Sequence, residues 1–148
     1  MKLDPDDALA RLAAHDHGIL CTLHAERGVD AVPVVYAIDK YGYVGVPIDE
    51  VKQKTSARLQ RQRNLENDPR ATLLAEQWDR DDWSQLWWAR AELRWQGDDT
   101  EREQALAAQL AERYPQYKDQ PFSRVLVLSI VGVTGWIASG NQPSQHEE

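Results

Sequence analysis

A single cysteine, Cys21, stands in 148 residues, so no disulfide can close within the chain and no cysteine-based zinc site can be built. Phenylalanine and methionine also occur once each. No stretch approaches the roughly 20 apolar residues that a membrane span requires. The opening Met1-Lys2-Leu3-Asp4-Pro5-Asp6-Asp7 is acidic and lacks the apolar run of a signal peptide. The expectation is a cytoplasmic protein with no membrane partner. Positive charge is in deficit, with 17 Lys+Arg against 24 Asp+Glu and a net charge of −7, which excludes a generally basic nucleic-acid binder. There is no Walker loop, no Gly-x-Gly-x-x-Gly and no Ser-His-Asp arrangement. Any chemistry would then be carried by a bound organic cofactor.

What is present describes one globular domain over residues 1–138 and a polar tail, 139–148, expected to fray. Hydrophobic residues make up 42% of the chain, enough for a core. Asp4 is placed to cap a helix, with Pro5 at its first position and Asp6 and Asp7 opposing its positive end; the helix fades near Gly18. Ile19–Leu23, Ala31–Ile38 and Tyr43–Ile48 read as strands, joined by turns at Glu26-Arg27-Gly28 and Asp39-Lys40-Tyr41-Gly42. Their short connections predict an antiparallel meander. Pro33 cannot donate to a ladder and argues for an edge or a bulge.

A helix is predicted over 55–67, capped by Thr55 or Ser56 and stopped by Asp68-Pro69. Ala71–Ala75 is a fourth strand. Gln85–Trp95 is a fifth, with Trp87, Ala89, Ala91, Leu93 and Trp95 on one face and Trp88, Arg90, Glu92 and Arg94 on the other. Thr100 and Glu103 form a capping box for a helix that ends at Tyr114-Pro115. A last strand runs near Val125–Ile130 and resumes at Thr134–Ile137. The sum is mainly β: a six-stranded antiparallel barrel with peripheral helices.

The acidic total hides a basic run. Lys52, Lys54, Arg58, Arg61 and Arg63 follow one another with no acid from 52 to 63. Lys52 and Lys54 precede the expected helix N-terminus, the wrong end for cations, at a cost of up to about 1 kcal/mol each unless an anion lies between them and the free amides. Lys54, Arg58 and Arg61 would share one helix face, with Thr55 adding a hydroxyl, which describes a phosphate or polyanion cradle. A solvated basic face is the plainer alternative. Nucleic acid is disfavoured because the run is short and no aromatics interleave with it.

His15 and His17 lack a third ligand and read as surface histidines, so no metal is expected. Cys21 reads as core packing. Trp87 and Trp95 read as core, whereas Trp78, Trp83, Trp88 and Trp136 exceed what one small core needs and point to an interface or a flat aromatic ligand.

Several of these segments resemble one family. Val32-Pro33-Val34-Val35-Tyr36, the basic run, Arg63-Asn64-Leu65-Glu66-Asn67-Asp68-Pro69-Arg70, Leu86-Trp87-Trp88-Ala89-Arg90-Ala91, Arg113-Tyr114-Pro115-Gln116-Tyr117 and Gly135-Trp136 are similar to the pyridoxamine-phosphate-oxidase-like flavin-binding split barrels. Within these the chain resembles the deazaflavin-dependent branch that uses coenzyme F420. The likeness runs over about residues 8 to 138. It implies a six-stranded split barrel, a homodimer, and two cofactors in grooves at the dimer interface. It implies that Arg61 and Arg63 hold the cofactor phosphate, with Lys52, Lys54 and Arg58 reaching the phosphate or the acidic tail of the deazaflavin. The backbone of Val34, Val35 and Tyr36 and of Val46, Pro47 and Ile48 would run along the ring, and Trp88 and Trp136 would wall the site from the partner subunit. No catalytic side chain is assigned.

Four readings follow. The first is an oxidoreductase passing a hydride between F420 and a small electron-poor substrate. The second is the same site holding FMN. The third is a protein that binds a flavin, a deazaflavin, haem or another flat ligand without turnover. In the fourth the basic run docks an acidic protein.

Overall fold

The computed structural model describes residues 1–49 and 59–138. The fold is mainly antiparallel β with three helices, in the order α1 (Pro5–Ala14), β1 (Gly18–His24), β2 (Gly28–Val34), β3 (Ala37–Ile38), β4 (Tyr43–Asp49), α2 (Gln60–Asn67), β5 (Arg70–Gln77), β6 (Trp87–Trp95), α3 (Thr100–Arg113) and β7 (Phe122–Ile137). Among the described residues one sheet contains every strand, in the order β2-β1-β5-β6-β7-β4-β3. Its edges, β2 and β3, are consecutive in the chain and separated only by Val35 and Tyr36. That crossing draws the two edges together into a barrel that is split along one side.

The expected second strand, 31–38, is therefore two strands on opposite edges, which makes seven rather than six. The expected meander keeps its two antiparallel turns and is interrupted at that crossing. β1 and β2 form a hairpin from Gly18↔Val34 to His24↔Gly28, but β4 pairs with β3 and β7, not with β2. The local turns form as read. Gly28 and Gly42 take positive φ, and Asp39 accepts from the amides of Tyr41 and Tyr43, each at 2.9 Å. Pro33 does lie on an edge strand.

β6 keeps the predicted alternation, with Trp87, Ala89, Ala91 and Leu93 buried on the inner face and Trp95 half-buried there. It starts at Trp87, after a 3-10 turn over Trp83–Gln85. β7 is one continuous strand, and its pairing with β6 slips by one residue, leaving Val131 as a bulge that is 63% exposed. Cys21 sits on the outer face of β1 between the inward Leu20 and Thr22, so it is not a core residue, and partial burial pushes its thiol up.

Helices pack where the sheet has glycine. A Cβ at Gly135 would lie 2.9 Å from the Ala8 Cβ of α1, and one at Gly45 would lie 2.8 Å from the Leu106 Cβ of α3. Leu106, Ala107 and Leu110 of α3 cover Ala37, Val125 and Val127. Asp4 caps α1 as expected. The cap of α3 is Asp99, which accepts from the Arg102 amide at 3.1 Å, rather than Thr100. Glu103 is used elsewhere, accepting from the Val125 amide at 2.8 Å. α2 begins at Gln60 with Leu59 as its N-cap, and the expected caps Thr55 and Ser56 lie outside the described residues. Lys52, Lys54, Thr55 and Arg58 lie outside the described residues, as do 139–148.

Arg113 closes the helical layer. Its guanidinium donates to the carbonyl oxygens of Ala13, at 2.6 Å, and His15, which α1 leaves unpaired at its C-terminus. Replacing Arg113 by Ala strands these half-buried carbonyls and should lower unfolding stability by about 2 kcal/mol, read from the urea midpoint at unchanged m-value.

Candidate functional site

The crossing that closes the barrel also opens a groove beside it. Val35 and Tyr36 belong to no strand, because β2 ends at Val34 and β3 starts at Ala37. Beyond Gly45, β4 has a neighbour only on its β7 side. The open margin between these segments is a groove of about 380 Å3, lined by His17, Val32, Pro33, Val34, Val35, Pro47, Arg61 and Tyr117. Its walls are aliphatic and its polar side chains are one guanidinium, one imidazole and one phenol. Among the described residues no carboxylate lines it.

Arg61 is placed there by α2, and α2 is placed by a buried amide. Asn64, 2% exposed, donates from Nδ2 to Thr22 Oγ1 and to Asp30 Oδ2, both at 2.9 Å, and its Oδ1 accepts from Gln60 Nε2 at 2.8 Å. One side chain thus ties the helix to both strands of the β1–β2 hairpin. Arg27 adds a bidentate pair to Asp30, at 2.9 and 3.0 Å. Leu65, 1% exposed, supplies the apolar half of the contact. Arg61 then reaches the Pro47 carbonyl from Nη2 at 3.4 Å. Proline suits this position, because β4 has no further strand there to receive an amide.

The structure brings together Val34, Val35, Pro47 and Arg61 of the predicted set. Lys52, Lys54, Thr55 and Arg58 lie outside the described residues, and the side chains of the remaining predicted residues are placed elsewhere. Arg63 is exposed and donates to Gln60 Oε1 at 2.7 Å, and it does not line the groove. The Tyr36 side chain is fully buried; its hydroxyl donates to the Leu12 carbonyl at 2.6 Å, and burial pushes its pKa up. The side chains of Val46 and Ile48 point into the core, which leaves only their backbone, with that of Tyr36, to run along a ring as expected. Trp88 lines a different cleft, of about 400 Å3, with Leu74, Glu76, Trp78, Leu86, Trp87 and Arg90. The Arg90 guanidinium lies 5.1 Å from the Trp88 ring, and Trp136 pairs across the ladder with Trp88 on the outer face of the sheet.

His17, Val32, Pro33 and Tyr117 are the groove residues that the sequence did not single out for it. His17 stands just ahead of β1, and Tyr117 sits in a 3-10 turn, Pro115–Tyr117, after α3. Tyr117 is held edge-on by Phe122 at 5.4 Å and by Tyr114 at 6.1 Å. The Tyr114 hydroxyl donates to the carbonyls of Asp16 (2.7 Å) and Tyr36 (3.1 Å), fastening this turn to the crossing. The signal for Tyr117 was the Arg113-Tyr114-Pro115-Gln116-Tyr117 string. His17 carried none beyond its position before a strand.

No known family profile matches the sequence, and no curated protein matches it. Solved structures do. A conserved hypothetical protein of Mycobacterium tuberculosis superposes with a TM-score of 0.72 at 19% identity, over 93% of this chain and 87% of that one. A protein of Mesorhizobium loti described as FAD-binding gives 0.68 at 12% identity, over 91% and 95%. A haem storage protein of Vibrio cholerae gives 0.60 at 18% identity, over 93% and 95%. These likenesses establish the fold, a mainly antiparallel split β-barrel.

The Asp30 carboxyl is held below the usual carboxylate range, first by the Asn64 hydrogen bond and then by Arg27. A lowered folded-state pKa stabilises above the unfolded value and is lost as pH falls through the folded one. Asn64→Ala removes the hydrogen bonds of a buried amide to Thr22 and Asp30 and should cost about 2 kcal/mol at neutral pH. It should also flatten the loss of stability that the wild type shows below about pH 4, as followed by thermal melts across pH.

Proposed function

We propose that the groove holds a flavin-type cofactor, the deazaflavin F420 ahead of FMN, and that the protein is an oxidoreductase acting on a small electron-poor substrate. The observation that carries this reading is the pairing of aliphatic walls with a cation. Val32, Pro33, Val34, Val35 and Pro47 suit a planar ring, and Arg61 stands at the same margin to take a phosphate. The backbone of Val35 lies outside every ladder and is open to the polar edge of a ring. A basic run longer than one phosphate needs, from Lys52 to Arg61, favours the deazaflavin with its acidic tail.

When bound, such a cofactor supplies two-electron hydride chemistry. The protein's part is to orient the ring, keep water from its face and neutralise its anionic end. Tyr36 takes no part in proton transfer, since its hydroxyl is buried and committed to Leu12. Binding without turnover is the second reading. The haem storage protein of the same fold favours haem as its ligand, because the groove also offers an imidazole, His17.

The proposal includes a homodimer. The outer face of the sheet carries Val29 at 65% exposure, Val131 at 63% and Trp136 at 37%, beside Trp88 and Leu74. Such a surface suits an isologous contact, and it would bring Trp88 and Trp136 toward the partner's groove.

Calorimetric titration with F420, FMN and ferric haem in turn should show binding tightest for F420. A preference for FMN moves the protein to flavin chemistry, a preference for haem removes the oxidoreductase reading, and no binding by any of them removes the cofactor. Arg61→Ala should weaken the bound cofactor at least tenfold, about 1.4 kcal/mol, whereas Arg63→Ala should have less than a threefold effect. Sedimentation velocity should show a dimer that Val131→Glu with Trp136→Glu converts to monomer. A monomeric wild type would exclude the shared site.

A further inference from the structure

The groove is framed by two basic side chains of different kind, a guanidinium and an imidazole. Arg61 enters from α2 and keeps its charge at every working pH. His17 enters from the segment before β1, and an imidazole is the side chain whose charge changes near neutrality. The remaining lining from β2, the crossing and β4 is Val32, Pro33, Val34, Val35 and Pro47, which cannot neutralise either group.

The other groups around His17 are few. On its own segment stand the His15 ring, with its centroid 5.6 Å away, and Asp16. Across the groove stand Arg61 from α2 and the Tyr117 phenol from the turn after α3. His15 is turned away from the groove, edge-on to Trp87 at 5.3 Å. The buried tyrosines beneath are occupied, Tyr36 with the Leu12 carbonyl and Tyr114 with the carbonyls of Asp16 and Tyr36. Among the described residues, His17 is thus the groove-lining side chain that can add a positive charge as pH falls through neutrality.

We infer that protonated His17 is a second contact for the anionic group of the groove's ligand, so that occupancy strengthens as pH falls from about 8 to about 6. This rests on the reading of the groove as a flavin-type site. It assigns His17 a positioning role beside Arg61: Arg61 anchors the anion at any pH, and His17 adjusts how tightly it is held. An imidazolium donating to a phosphate or carboxylate oxygen makes a charge-assisted hydrogen bond, and the neutral ring loses the charged part of it.

The test measures Kd for FMN and for F420 at pH 6 and pH 8 by calorimetry, on the full chain, its His17→Gln and His15→Gln variants and a His17→Arg variant. The phosphate monoester of FMN itself titrates in this range, so affinities are compared as the ratio of wild type to His17→Gln at each pH. The ratio of affinities should favour the wild type by about fivefold more at pH 6 than at pH 8. His15→Gln should follow the wild type, and His17→Arg should bind at pH 8 as tightly as at pH 6 once the ligand's titration is allowed for. An equal ratio at both pH values overturns the inference while leaving the cofactor reading intact. A pH effect that disappears in His15→Gln instead also overturns it. Absence of binding by either ligand to the wild type removes the cofactor reading and this inference with it. His17 is exposed, so the substitutions should leave the melting temperature within a few degrees, and matching circular dichroism spectra establish that the variants are folded.

Discussion

The structure depends on two residues that leave the sheet. At Val35 and Tyr36 the chain passes from one edge of a seven-stranded sheet to the other, and without that passage the sheet would be an open ribbon with two bare margins. Tyr36 holds the passage in place. Its ring is wholly buried, its hydroxyl donates to the C-terminal turn of α1, and its carbonyl accepts from Tyr114 just past α3. Two helices from opposite ends of the chain are thus fastened to the point where the barrel closes. A buried phenol without a partner would be costly, which is why the hydroxyl and the α1 carbonyl must be found together.

The groove is a consequence of the same closure. A strand pair that continued from β2 to β4 would have filled the margin with ladder hydrogen bonds. Because β3 is only two residues long, β4 is left open beyond Gly45, and Pro47 occupies a position where an amide would have had no strand to pair with. Arg61 fills part of that opening, and its position is inherited from Asn64, which binds α2 to β1 and β2 at once. The basic residue at the site and the polar residue that aims it are three positions apart on one helix, one facing the groove and the other facing the hairpin.

Much of the architecture was legible because local chemistry and tertiary use agree. The alternation in β6 predicts its buried face, Pro33 predicts an edge, Gly28 and Gly42 mark turns, and Asp4 marks a cap. The readings that failed did so where a residue had two possible employments. Glu103 could have closed a capping box, but the amide of Val125 lay within reach and Asp99 already served the helix end. Arg63 sits in the same basic run as Arg61, yet two residues along a helix is about half a turn and carries it to the other side. Cys21 alternates with Leu20 and Thr22 and so falls on the outer face, although its strand is apolar on both sides.

By itself the sequence determined the kind of element formed over most of the described residues, the β-rich class, and a local excess of positive charge on an acidic chain. These follow from periodicity, turn chemistry and composition, which act over a few residues. Only the tertiary structure decided that one predicted strand is two, that β4 leaves the hairpin to join β7, and that Arg61 rather than Arg63 meets Val35 and Pro47. It alone brought His17, Arg61 and Tyr117, from three distant stretches of chain, to one groove. The reason is physical: pairing partners and shared cavities are set by burying apolar faces across the whole chain, and no local pattern records which faces will meet.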